Sequence, residues 1–222
     1  MEPAAPARRI TSEVAIIVAG GLIALAIGIA GRVPAPSTSP QLVTADEPYI
    51  GSATAPVTLA YWFDFQCPYC KRTENVVMPQ LISDYVKTGI VKIVFKDLQF
   101  LGPDSETAGV VARAVWDTAP ADYYAWHQAV FARQDVENGG WGNAADLAAV
   151  TEEVLGKETA GRVATLASQK RATYLAQIVA DRAEGARLGV TATPGFLIGG
   201  SLVSGAVPYA DMKAAIEAAR AR

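Results

Sequence analysis

Phe65-Gln66-Cys67-Pro68-Tyr69-Cys70 closes an apolar and aromatic run, Val57 to Phe65 (VTLAYWFDF), of the length and composition that makes a buried strand. From Pro68 onward the spacing becomes helical: Val76, Val77, Leu81 and Tyr85 can share one face before Gly89 ends the segment. Cys67 therefore falls where a strand hands over to a helix, with Pro68 at the first helical position, which proline favours. Its sulfur would face the unpaired N–H groups of the first turn and the positive end of the helix dipole. Both stabilise a thiolate over a thiol, so Cys67 is expected to ionise well below the ordinary value of about 8.5. Cys70, three residues on, lies on the same helical side, close enough to close a disulfide and deeper than Cys67.

A purely structural disulfide is the plain alternative. A bridge closing so short a loop restrains the unfolded chain by only about 2 kcal/mol, against about 3 for a 15-residue loop, so the pair is poorly placed as a staple. Two cysteines and one histidine cannot build a tetrahedral soft-ligand cage from one copy of the chain, so no metal site is expected. Redox chemistry at Cys67 and Cys70 is the reading that fits the spacing and its position. A formal net charge of −3 without basic runs gives no footprint for nucleic acid.

The 222 residues suffice for one well-buried domain plus appendages, and a hydrophobic fraction of 51% calls for an apolar segment outside the core. Residues 14–31 (VAIIVAGGLIALAIGIAG) supply it: no charge, no proline, and about 27 Å at helical rise. They read as a single transmembrane anchor, with Arg8 and Arg9 keeping residues 1–13 in the cytoplasm and the domain outside the cell membrane. A cleavable signal peptide cut after Gly28-Ile29-Ala30 is the alternative, and it exports the domain equally. Residues 32–47 (RVPAPSTSPQLVTADE) are rich in proline and serine and read as a tether, with the folded domain at 48–222.

Beyond the first helix, Ile90 to Leu98 reads as a second strand. The stretch over about 103–188 is alanine-rich and helix-favouring, broken at Ala119-Pro120, Gly139-Gly140 and Gly156. Gly195 to Ile198 and Ser201 to Val203 form a hairpin pattern through Gly199-Gly200, followed by a helix from about Tyr209 to Ala221. Tyr123, Trp126 and Val130 at helical spacing read as core, and His127 among them as a packed histidine; Glu152 and Glu153 read as a solvated face.

With FQCPYC after an apolar strand, TATPGF before a short distal strand and a helical segment between them, the chain resembles the DsbA-like branch of the thioredoxin superfamily over nearly all of residues 48–222. The resemblance implies an α/β thioredoxin-like fold with a helical insertion, acting as a disulfide oxidase, reductase or isomerase of exported, cysteine-containing proteins. It further implies a cis Thr193-Pro194 bond beside Cys67, with the Thr193 backbone pairing to an extended substrate. From the residues alone, Pro194 merely opens an apolar run, a permitted place for proline.

Pro68 and Tyr69, between the cysteines, would tune the Cys67 thiolate. Many relatives carry an acidic proton acceptor where this chain has Tyr61, leaving Asp64, Lys96 or water for that role. Tyr69 stands where the strongest oxidants have histidine, so a milder oxidant is expected. No cofactor is expected. Turnover would need a membrane redox partner, either a quinone-linked oxidase or a reductant. The rival from another class is a tethered copper carrier holding Cu(I) between the same cysteines.

Overall fold

Seven-residue runs rich in β-branched and aromatic residues become central strands when both faces are covered, and two such runs organise this domain, the second with Lys96 and Asp97 buried in it. Strand β2 (Val57–Phe63) pairs in parallel with β3 (Val91–Asp97), Tyr61 lying opposite Phe95 and Trp62 opposite Lys96. The short β1 (Tyr49–Ile50) adds antiparallel to β3, while β4 (Gly195–Ile198) and β5 (Ser201–Ser204) extend the other side, giving the order β1-β3-β2-β4-β5. Strand alternation divides the core: Leu59, Tyr61 and Phe63 join the large cluster, while Ala60 and Trp62 join a smaller one on the opposite face with Val190 and Leu197.

The structure is a computed structural model and describes Met1 and residues 41–222. The expected cytoplasmic N-terminus (1–13), the transmembrane anchor (14–31) and most of the tether lie outside the described residues apart from Met1. Among the described residues no helix is long and apolar enough to cross a membrane. The compact unit spans Leu42–Arg222, so the last tether residues belong to the domain. The Val43 N–H donates to Glu184 Oε1 at 2.5 Å, and Glu47 is buried against Lys96 and Arg113. A polar sequence hid this segment because what it buries is ion pairs.

Helix α1 (Pro68–Val76) begins on Pro68 as expected and is interrupted at Val77 by Pro79, which has no N–H to continue the ladder. The chain resumes as α2 (Met78–Leu81) and a π-helical turn (Ile82–Val86), with Lys87 N–H donating to the Ile82 carbonyl. The inward face of α1 is Cys70, Thr73 and Glu74, continued by Val77; Val76, expected inside, is 55% exposed. Strand β2 stops at Phe63, two residues early, because the Asp64 carboxylate captures the Gln66 N–H at 2.8 Å and turns the chain.

The helical block consists of α3 (Pro103–Thr118), a 3-10 turn (Pro120–Asp122), α4 (Tyr123–Arg133), α5 (Ala144–Leu155), α6 (Lys157–Gln169) and α7 (Arg171–Arg187). The expected breaks are present, and a further one at Lys170 carries no proline or glycine signal. Helix α8 (Tyr209–Arg220) closes the domain, with Met212 and Ile216 in the large core. Gly199 and Gly200, at φ 52° and 86°, make the tight turn between β4 and β5.

Candidate active site

The loop carrying Cys67 is held from several directions before any chemistry is considered. Asp64, fully buried, accepts hydrogen bonds from the backbone N–H groups of Gln66, Phe100 (2.7 Å) and Leu101 (3.0 Å) and from the Ser105 hydroxyl (2.5 Å). Gln134, from the end of α4, donates through Nε2 to the carbonyls of Phe65 at 2.6 Å and Cys67 at 3.1 Å. Gln66 Nε2 donates to the Trp141 carbonyl at 3.0 Å. The helical insertion is thus bolted to both sides of the cysteine loop.

Cys67 is the N-cap of α1, extended at φ −77° and ψ 119°, with no side-chain cap; Cys70 lies on the inward face of the first turn. Both are free thiols. The Cys67 thiol is lowered to about 6: a hydrogen bond from Cys70 contributes most, opposed by burial and reinforced by the Thr193 side chain and the backbone N–H groups of Cys70 and Tyr69. Helix-end amides do favour the thiolate, yet the Cys70 thiol is the stronger donor, a partner whose effect the helix argument alone does not include. Cys70 goes the other way, driven up first by burial and then by its proximity to Cys67. The residue Cys67 is only 4% exposed, more covered than its expected reactivity suggests, whereas Tyr69 between the cysteines is 61% exposed.

Thr193-Pro194 is a cis peptide bond, and the Cys67 Sγ donates to the Thr193 carbonyl at 3.5 Å. Pro194 precedes β4, whose Gly195 lies opposite Trp62 of β2. A Cβ on Gly195 would come within 2.5 Å of Val190 Cγ1, so the strand's close approach requires glycine there.

The residues considered as proton acceptors are not free to serve. Asp64 has its oxygens committed to the four donors above, although burial raises its carboxyl above the ordinary range. Lys96 projects to the opposite sheet face from Tyr61 and is paired with Glu47, Asp181 and Glu184 at 2.5–2.8 Å. Behind Cys70 stands a group that apolar periodicity passed over: Glu74, 2% exposed, accepting from Tyr124 Oη at 3.1 Å and lying 3.0 Å from His127 Nε2. His127 is a core residue as read, ringed by Phe63, Phe65 and Phe95 at 4.7 to 5.2 Å between centroids. Only the burial of a charged residue on α1 would have flagged Glu74, and its polarity pointed outward.

The thioredoxin family model matches residues 43–218. The chain belongs to the thioredoxin family. Within that family its architecture is DsbA-like, with the helical insertion between β3 and β4. It is 26% identical over 175 residues to disulfide bond formation protein D of Bacillus subtilis, spanning 77% of this chain and 76% of that protein. The crystal structure of oxidised BdbD from Bacillus subtilis superposes with a TM-score of 0.74 at 23% identity, over 83% of this chain and 98% of that one. The thiol-disulfide exchange protein alpha-DsbA2 from Wolbachia pipientis gives 0.68 at 20% identity, over 94% and 99%. These two structural likenesses speak for the fold, and this thioredoxin-family member's chemistry is argued from Cys67, Cys70 and their surroundings.

Proposed function

We propose that this protein is a membrane-anchored thiol-disulfide oxidoreductase that forms disulfides in exported, cysteine-containing proteins through Cys67 and Cys70. The observation that carries the reading is the split between neighbouring sulfurs: Cys67 is lowered to about 6 while Cys70 is pushed up by burial. One sulfur is thereby a nucleophile and leaving group near neutral pH, and the other a protected resolving thiol.

In the oxidising direction a substrate thiolate attacks Cys67 of the disulfide and Cys70 departs. A second substrate thiolate then attacks the substrate sulfur of the mixed disulfide, releasing Cys67 as thiolate and leaving the protein reduced. Stabilising the Cys67 thiolate stabilises that reduced product, which drives oxidation of substrate, and the relative's name, disulfide bond formation protein D, agrees in direction. Thr193, beside Cys67 on the cis bond, offers its backbone to an extended substrate, with Pro194 fixing the turn. Pro68 and Tyr69 set the start of α1 and so tune the thiolate. A membrane partner, such as a quinone-linked oxidase, takes the two electrons and restores the disulfide; a reductant would take its place only if the protein ran in the reverse direction.

Holding Cu(I) between both sulfurs calls for two equivalent thiolate ligands, whereas the opposite displacement of the two thiols suits a nucleophile with a resolving partner, so the redox reading is preferred. The test is oxidative refolding of a reduced, cysteine-containing substrate by the full chain in detergent. Acceleration that vanishes in Cys67→Ser supports the proposal. Equal acceleration by Cys67→Ser, or a reduction potential far below the poise of the exported compartment, as in structural disulfides, overturns it.

A further inference from the structure

Each catalytic cycle moves a proton at the sulfur that solvent does not reach. Cys70 must lose one before it can attack a mixed disulfide at Cys67, and must regain one after a substrate thiolate expels it. Cys70 is 0% exposed, and burial holds its thiol in the protonated form, so a protein group has to exchange that proton.

Glu74 stands one helical turn beyond Cys70 on the same inward face of α1. It meets Tyr124 Oη through Oε2 and His127 Nε2 through Oε1. Two polar atoms around it are buried without a hydrogen-bond partner: Tyr61 Oη, from β2, and His127 Nδ1, from α4. A buried polar group without a partner is costly, so two of them in the core that holds Glu74 and Cys70 need an explanation. Tyr61 and Cys70 belong to the same large core cluster, and after burial Cys70 and Glu74 are the groups that act most strongly on the Tyr61 hydroxyl. The other titratable groups facing this space are Tyr123 and Tyr124 of α4, both held protonated by burial.

We propose, building on the redox reading above, that Glu74 is the buried proton store for Cys70, that the Tyr61 hydroxyl carries the proton between them, and that His127 is a positioning residue for the Glu74 carboxylate. When Cys70 resolves a mixed disulfide, its Sγ–H proton passes to Tyr61 Oη while the Tyr61 hydroxyl proton passes to Glu74. The Cys70 thiolate then forms the bond to Cys67 Sγ, the bond from Cys67 to the substrate sulfur breaks, and the substrate leaves as thiolate. In the oxidising direction the same proton returns from Glu74 to Cys70 by the same route. Tyr61 and Glu74 change protonation only; the sulfurs alone are oxidised and reduced.

The experiment uses the full chain carrying glutathione disulfide-linked to Cys67 and follows release of glutathione by Cys70 against pH. Glu74→Gln and Tyr61→Phe are each expected to slow release at neutral pH by tenfold or more, within the roughly 10²–10⁴-fold span of general acid–base catalysis. Both should make the rate climb with pH where the parent's is flat. Glu74→Asp should recover part of the rate. Tyr61→Phe keeps the ring stacked on Phe196 at 4.9 Å, so it decides the matter if Glu74→Gln does not fold. Parent-like release in Tyr61→Phe, or in folded Glu74→Gln, overturns the relay. Alkylation of Cys67 in the reduced parent is the separate control: if Cys67 is inert at neutral pH, the redox reading fails instead.

Discussion

The two thiols three residues apart are pushed in opposite directions, and a thiol lowered by its neighbour can be tested by removing that neighbour. Alkylation of Cys67 in the reduced parent should rise to half its plateau near pH 6. Cys70→Ala removes the strongest stabilising donor and should move that midpoint upward, toward the free-cysteine value of about 8.5. An unmoved midpoint would mean that the helix-end amides suffice. The same perturbation has a linkage consequence. A group lowered in the fold adds stability above its unfolded pKa and loses it as pH falls through the folded value. The reduced protein should therefore gain thermal stability over the oxidised form as pH rises from about 6 toward about 7.5, below the range in which unfolded cysteine ionises and Cys70, raised in the fold, begins to oppose the gain. Paired thermal scans of the two redox forms across that range would reveal the difference.

At the level of elements, strong punctuation in the sequence was legible and polarity misled. The strand-to-helix junction at Cys67, the Gly199-Gly200 turn and the break at Gly156 each rest on a local signal that survives folding. Helix α1 is harder to read, because Tyr124 and His127 in the core hold a buried carboxylate where apolar periodicity demands a valine. Helical spacing therefore puts Val76 inside and passes over Glu74, the reverse of what the fold does. The tether's end at Leu42–Glu47 hid in the same way, behind proline and charge. Element ends offer direct tests. The Asn143 side chain caps α5 by accepting from the N–H groups of Ala145 and Asp146, so Asn143→Ala should cost about 1 kcal/mol in denaturant unfolding. On α7, a Cβ at Gly185 would come within 2.9 Å of Trp62 Nε1, so Gly185→Ala should cost about 1–3 kcal/mol by overpacking.

Across the whole molecule, the buried ion cluster ties the N-terminal strap to the sheet and to α3 and α7. Glu47, Asp97, Asp181 and Glu184 supply four carboxylates to two cations, Lys96 and Arg113. Burial raises the carboxyls of Asp97 and Asp181 above the ordinary range, with Arg113 opposing the rise. Carboxyls raised in the fold lend stability at low pH and lose it as pH climbs through their folded values, so the oxidised protein should keep or gain thermal stability when pH falls from 7 toward 5. A steady decline over that range would contradict the cluster's excess of acid. Arg113→Met leaves carboxylates buried without their partner and should cost about 3–5 kcal/mol. The low exposure of Cys67 has a consequence at this scale too. With 4% of that residue exposed, two folded copies colliding face to face meet through the groups that cover Cys67 before their sulfurs can meet. Homodimers crosslinked through this site are therefore sterically penalised, and a crowded population of the protein keeps its oxidising equivalents for slender, yielding chains.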